Sequence, residues 1–136
     1  MTSLSWLALL LVPAVDVNVN EAKTYARPEL LVEPAQLAKL DAGKDVRILD
    51  ARGHGKYIEG HVPGAVWVDA TTWARTFASH QDTGKWAKLI GDLGIDLDKP
   101  TVVYDDASAK DAARIWWILK YWGVRDVKLL NGGWIG

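Results

Sequence analysis

The chain has 136 residues and a formal net charge of −1, with 49% of residues hydrophobic and 24% charged. That length suits one ordinary domain rather than two, and the near-neutral charge gives no footing for a nucleic-acid partner or an anionic membrane surface. There is no cysteine, which removes disulfides, thiolate metal sites and a cysteine nucleophile from this chain at once.

Residues 4–15, "LSWLALLLVPAV", form an apolar run of signal-peptide length that is too short to span a bilayer. Residues 1–27 are therefore read as a signal peptide or disordered leader. That tilts localisation toward the periplasm or export rather than the cytoplasm, against which no Lys or Arg precedes the run. The folded domain is expected to begin near Pro28 and to run over residues 28–136. "EPAQLAKLDAG" has helical spacing, with Pro34 suited to the first turn and Gly43 to its end. "DVRILDAR" holds a short strand ending at Asp50. "RGHGKYIEGHVPG" reads as a glycine-rich loop leading into a second apolar run, "AVWVD".

"TTWARTFAS" follows as an amphipathic helix capped by Thr71 or Thr72, and "KWAKLIGDLGI" as another running to Gly94. "TVVY" after Pro100 is a continuous apolar run, as in a strand buried on both faces. The helix "DAARIWWILKYWG" takes Asp111 as N-cap and Gly123 as C-cap, and "VKLL" is a last strand before "NGGWIG". Strands alternating with helices predict an α/β fold with a mostly parallel central sheet and helices on both faces.

On that last helix, Ile115, Trp116, Ile118, Leu119 and Trp122 share one broad face that should cover the sheet. Trp117 and Tyr121 lie four apart on the other side, flanked by Arg114 and Lys120. Either a neighbouring helix covers this aromatic pair, or it faces another domain or protein.

The polar loop between "TVVY" and that helix is Asp106-Ala107-Ser108-Ala109-Lys110-Asp111. It sits where α/β enzymes place a nucleophile or grip an anion. It offers one serine for nucleophilic work, and His54, His61 and His80 show no spacing that would make one of them its base. Asp105 and Asp106 at a strand end are a weak Mg²⁺ pair, with Asp50 as the one further carboxylate at a second strand end.

The stretch "ILDARGHGKYIEGHVPGAVWVD", with Gly60-His61-Val62-Pro63-Gly64-Ala65 at its centre, resembles the amino-terminal signature of rhodanese-like domains. Tyr104-Asp105, Ala112-Ala113-Arg114 and Trp116-Trp117 resemble, in order, the second half of the first domain of two-domain thiosulfate and 3-mercaptopyruvate sulfurtransferases. Within the motif, Asp50 and Arg52 are expected to pair across the loop mouth, and His61 to hydrogen-bond backbone or a carboxylate rather than act on a substrate.

The resemblance implies a catalytic cysteine in active members, at the start of the loop after the central strand, its persulfide held by backbone N–H groups at the helix start. Counting back from Gly123 places Asp106 at that position, so the loop 106–111 is read as vestigial, with the Asp106 carboxylate as a built-in anion. The chain is then a non-catalytic domain, inactive alone and needing no cofactor or metal. Its partner is a second rhodanese-like domain of the same protein, which supplies the cysteine. Arg114, Trp117 and Tyr121 border the domain interface on this reading, and the chain is a fragment that lacks a further helical segment, a linker and the second domain. The alternative is a stand-alone inactive module that binds a partner or an anion.

Overall fold

Three short apolar runs of this sequence become adjacent central strands of one parallel sheet. In the computed structural model, which describes residues 25–79, 81–106 and 108–135, the strands are β1 (Leu31–Val32), β2 (Arg47–Asp50), β3 (Val66–Trp67), β4 (Thr101–Tyr104) and β5 (Val127–Leu130). Their spatial order is β1-β5-β4-β2-β3, and every pairing is parallel. All four residues of β4 are buried, as a central parallel strand with both faces covered requires. The register sets Asp50 opposite Tyr104 and Leu49 opposite Val103.

Alternation along the strands separates two cores. Leu49, Val103 and Val127 point to one face, which carries the helices α3 (Ala70–Ser79), α4 (Thr83–Asp92) and α5 (Lys110–Tyr121). There Trp86, fully buried, meets Trp73 edge-on at 5.3 Å between ring centres and stacks on Trp122 at 5.7 Å. Ile48, Val102, Tyr104 and Leu130 point to the other face, together with Leu37 and Ala65. That face carries α1 (Pro34–Leu37). The helix α2 (His54–Glu59) buries none of its own residues.

Several expectations are corrected. The glycine-rich stretch contains α2, because Gly53 serves as its N-cap and Gly60 as its C-cap. The helix expected from Pro34 to Gly43 stops after four residues, although Glu33 and Gln36 form a capping box at its start. Asp69, rather than Thr71 or Thr72, caps α3, its carboxylate accepting from Thr72 N at 3.0 Å and from the Thr72 hydroxyl at 2.6 Å. Asp111 lies inside α5, and the N-cap is Ala109, a non-glycine residue at φ 55°. The strand β1 was not legible, since two residues become a strand only by pairing with β5. Of the leader expected over residues 1–27, residues 1–24 lie outside the described residues, as do His80, Ala107 and Gly136.

Candidate functional site

The loops after β2, β4 and β5 converge at the carboxyl edge of the sheet, where open parallel sheets place their ligand sites. At its base Asp50 is fully buried and held from several directions. Arg52 donates to it from its backbone N at 2.9 Å and from Nη2 at 2.6 Å, and the Tyr104 hydroxyl donates to Oδ2 at 2.5 Å. Arg52 Nη2 also donates to the Gly60 carbonyl at 2.6 Å, and the guanidinium lies 4.2 Å from the centre of the Trp134 ring. Val62 N donates to the Tyr104 oxygen at 3.1 Å. The expected Asp50–Arg52 pair is therefore present as a buried bridge that ties three loops together, with side chains 3% and 0% exposed for Arg52 and Asp50.

Burial first, and then the hydrogen bond to Asp50, hold the Tyr104 phenol well above its ordinary value of 10.0. The unfolded chain loses this proton as pH passes its ordinary value, while the folded chain keeps it. Stability present below about pH 10 is thus lost as pH rises further. Tyr104→Phe is expected to flatten this alkaline decline, read as the denaturation midpoint between about pH 8 and pH 11.

Above this base the residue after β4 closes the start of α5. The Asp105 carboxylate, in a residue only 5% exposed, accepts from Ala109 N at 3.0 Å, Asp111 N at 3.0 Å and Ala112 N at 3.2 Å. A side chain from the strand end thus performs the capping that Ala109 cannot. The built-in anion expected at Asp106 is corrected: the carboxylate on the loop N–H groups belongs to Asp105. Asp106 turns outward and pairs with Lys56 Nζ at 2.6 Å. Ser108 and Lys110 are exposed, and Asp111 pairs with Arg114 Nη1 at 3.2 Å. The Mg²⁺ reading loses its ligands, because Asp50 is committed to Arg52 and Asp105 to backbone N–H groups. Among the described residues no group of three or more His, Asp or Glu side chains could hold a metal ion.

The loop is also clamped from the β5 side. Trp134 N donates to the Asp105 carbonyl at 2.8 Å and Ile135 N to the Asp106 carbonyl at 3.3 Å. Gly133 makes this approach possible at φ +61°, for a Cβ there would strike the Asp106 carbonyl oxygen and lie 2.8 Å from that of Asp105. Gly133→Ala is expected to cost about 1–3 kcal/mol, measured as a drop in urea-unfolding midpoint. A second close approach explains the motif glycine Gly64, at φ +77°, whose Cβ would strike that of Ala42. His61 Nδ1 lies 2.8 Å from the Tyr57 carbonyl, and its ring stacks on Tyr57 at 3.9 Å. Between loop and α2 lies an open polar cleft of about 380 Å³, lined by Arg52, Lys56, Glu59, Gly60, Asp106, Trp134 and Ile135.

The model of the rhodanese-like domain matches residues 33–136. This chain belongs to the rhodanese-like domain family. The domain is 35% identical over 118 residues to a thiosulfate sulfurtransferase of Bos taurus, covering 76% of this chain and 39% of that protein. It is 32% identical over 108 residues to a 3-mercaptopyruvate sulfurtransferase of Escherichia coli, covering 68% of this chain and 38% of that protein. Among solved structures, SseA of Escherichia coli, a 3-mercaptopyruvate sulfotransferase with the rhodanese fold, superposes with a TM-score of 0.62 at 29% identity, over 77% of this chain and 45% of that one. The chain thus spans less than half the length of these relatives.

In the helical layer of the rhodanese-like domain, Phe77 of α3 meets both Trp117 and Tyr121 of α5 edge-on at 5.0 Å between ring centres. A neighbouring helix does reach the pair, yet Trp117 and Tyr121 remain 51% and 55% exposed. No described helix is long and apolar enough to cross a membrane.

Proposed function

We propose that this rhodanese-like domain, residues 28–136, is the non-catalytic part of a thiosulfate or 3-mercaptopyruvate sulfurtransferase whose sulfur-carrying cysteine comes from a second domain of the same protein. The observation that carries the reading is the loop after β4. It keeps the strand–loop–helix geometry that gathers N–H groups, but a carboxylate of the chain itself, Asp105, occupies them. A carboxylate cannot form a persulfide, so the loop is a relic that holds the fold together. By its count from Gly123 the cysteine of active members falls at Asp106, and occupancy of the N–H groups favours its neighbour Asp105. Relatives named as sulfurtransferases, more than twice the matched length, support a missing second half. Arg114 and the exposed faces of Trp117 and Tyr121 offer the surface for it, since a solvent-facing aromatic pair this size is what an interface uses.

The isolated 136-residue chain is expected to form no thiocyanate from thiosulfate and cyanide, whereas the natural gene product, with a mass near twice 15.0 kDa, turns over. Activity of the isolated chain that survives Asp105→Ala, Asp106→Ala and stringent purification overturns the proposal. A natural product of single-domain mass favours the stand-alone module instead.

A further inference from the structure

The turn after β5 sets Asn131 directly before Gly132, and the fold asks for each of them separately. Gly132 stands at φ 79°, in the left-handed region that glycine enters at no steric cost. Asn131 is asked for by its contacts. Its Nδ2 donates to Glu33 Oε1 at 2.8 Å, its Oδ1 accepts from the Tyr25 hydroxyl at 3.3 Å, and its backbone N donates to the Val32 carbonyl at 2.9 Å. An aspartate in its place would set a second carboxylate against Glu33, with no donor between them. The Asn131 amide thus clasps the two-residue strand β1 and Glu33, the N-cap of α1, to the end of β5.

These demands create a reactive pair. The nitrogen that follows the Asn131 side chain belongs to a residue with no Cβ to shield it. Gly132 is exposed, Asn131 is half-buried, and the Gly132 N–H has no hydrogen-bond partner among the described residues. We infer that Asn131 is a site of spontaneous covalent modification, its side-chain amide hydrolysed by water through a ring closed on Gly132. The Gly132 nitrogen, giving its proton to solvent, forms a bond to Cγ of Asn131. The Cγ–Nδ2 bond breaks, and ammonia leaves with a proton taken from water. Water then opens the succinimide at either carbonyl, leaving aspartate or isoaspartate with no change of oxidation state.

Both products undo contacts described above. Either one replaces the Nδ2 donor by a carboxylate facing that of Glu33, so an attraction at the β1 edge becomes a repulsion. The isoaspartate also lengthens the main chain by one carbon just ahead of Gly133. The bonds from Trp134 N and Ile135 N to the Asp105 and Asp106 carbonyls depend on the close approach made at Gly133, so the clamp on the loop after β4 slips with it.

Peptide mapping by mass spectrometry tests this, on the 136-residue chain held folded in mildly alkaline buffer and on a second sample held unfolded in urea. In the folded sample Asn131 is expected to lose its amide about tenfold or more faster than Asn18 and Asn20, which precede the side-chain-bearing Val19 and Glu21. Loss in urea alone, or at the pace of the other two asparagines, overturns the inference. Asn131→Asp, the product with an unaltered main chain, is expected to speed hydrogen exchange of the Leu31 and Val32 amides about tenfold. Adding Glu33→Gln should restore most of that protection. Unchanged exchange in Asn131→Asp overturns the clasp, and the aged parent chain gives the same reading should that variant fail to fold.

Discussion

Replacing Arg52 by alanine is expected to destabilise the domain by about 3–5 kcal/mol, read as a fall in the urea-unfolding midpoint at constant slope. The guanidinium is 3% exposed, and its loss leaves the fully buried Asp50 carboxylate with the Tyr104 hydroxyl as its remaining side-chain donor. It also strips the Gly60 carbonyl of a 2.6 Å donor and the Trp134 ring of its cation. The hydrogen bond to Asp50 foremost, working against burial, holds the Arg52 pKa above its ordinary value, so the guanidinium keeps its charge. Asp50→Ala/Arg52→Ala should cost less than the sum of the two single changes, because most of either loss is the stranded partner. Arg52→Lys should remain well below the parent, since an ammonium cannot reproduce the fork that meets both carboxylate oxygens and the Gly60 carbonyl. An Arg52→Ala loss under about 1 kcal/mol would mean that the bridge contributes no more than a surface pair.

Asp105→Ala is expected to cost about 2–4 kcal/mol, whereas Asp106→Ala costs under about 1 kcal/mol. The contrast between adjacent aspartates decides which of them holds the loop. Asp105 is buried and accepts three backbone N–H groups at the start of α5, where a negative charge is also favoured by the helix dipole. Asp106 makes one ion pair, with Lys56, and both side chains are about half exposed. Its attraction is screened by water and salt, so little is lost with it. Equal losses at the two positions would overturn this division of labour. Denaturant unfolding of the two variants under one buffer gives the answer.

The two aspartates also show where reading the sequence stops. "TVVY" announces β4 by its unbroken apolar run, and "VKLL" and "RIL" announce its neighbours. Counting back from a distant glycine cannot tell residue 105 from 106, because loop length between β4 and α5 absorbs one residue freely. The pairing of Tyr104 with Asp50 fixes the strand end and so assigns the capping role. Asp105 carried one local signal, an acidic residue directly after a buried strand and six before a helical amide. The short helix α2 was hidden by Gly53, Gly55 and Gly60, which read as loop punctuation but act as its boundaries and a permissive interior. The short α1 failed in the opposite sense: its apolar spacing persists to Leu40, but Ala42 bridges to Val46 and pulls the chain away into β2. The Asp50–Arg52 bridge was legible, being two residues apart at a strand end. Its extension to Tyr104, Gly60 and Trp134 was not, for those residues lie 8 to 82 positions from Arg52 and meet only through the sheet order.

That order has a consequence for how the domain comes into being on the ribosome. Leu31 pairs with Leu129, 98 positions later in the chain. The edge strand made first therefore waits, unpaired, while every other element of the sheet is synthesised. At ordinary elongation rates that interval is several seconds or more, long on the timescale of hairpin or helix formation. Only two residues long, β1 offers little edge for a passing chain to capture during that wait. The brevity that hid it from the sequence is also what keeps the nascent domain from pairing with the wrong neighbour.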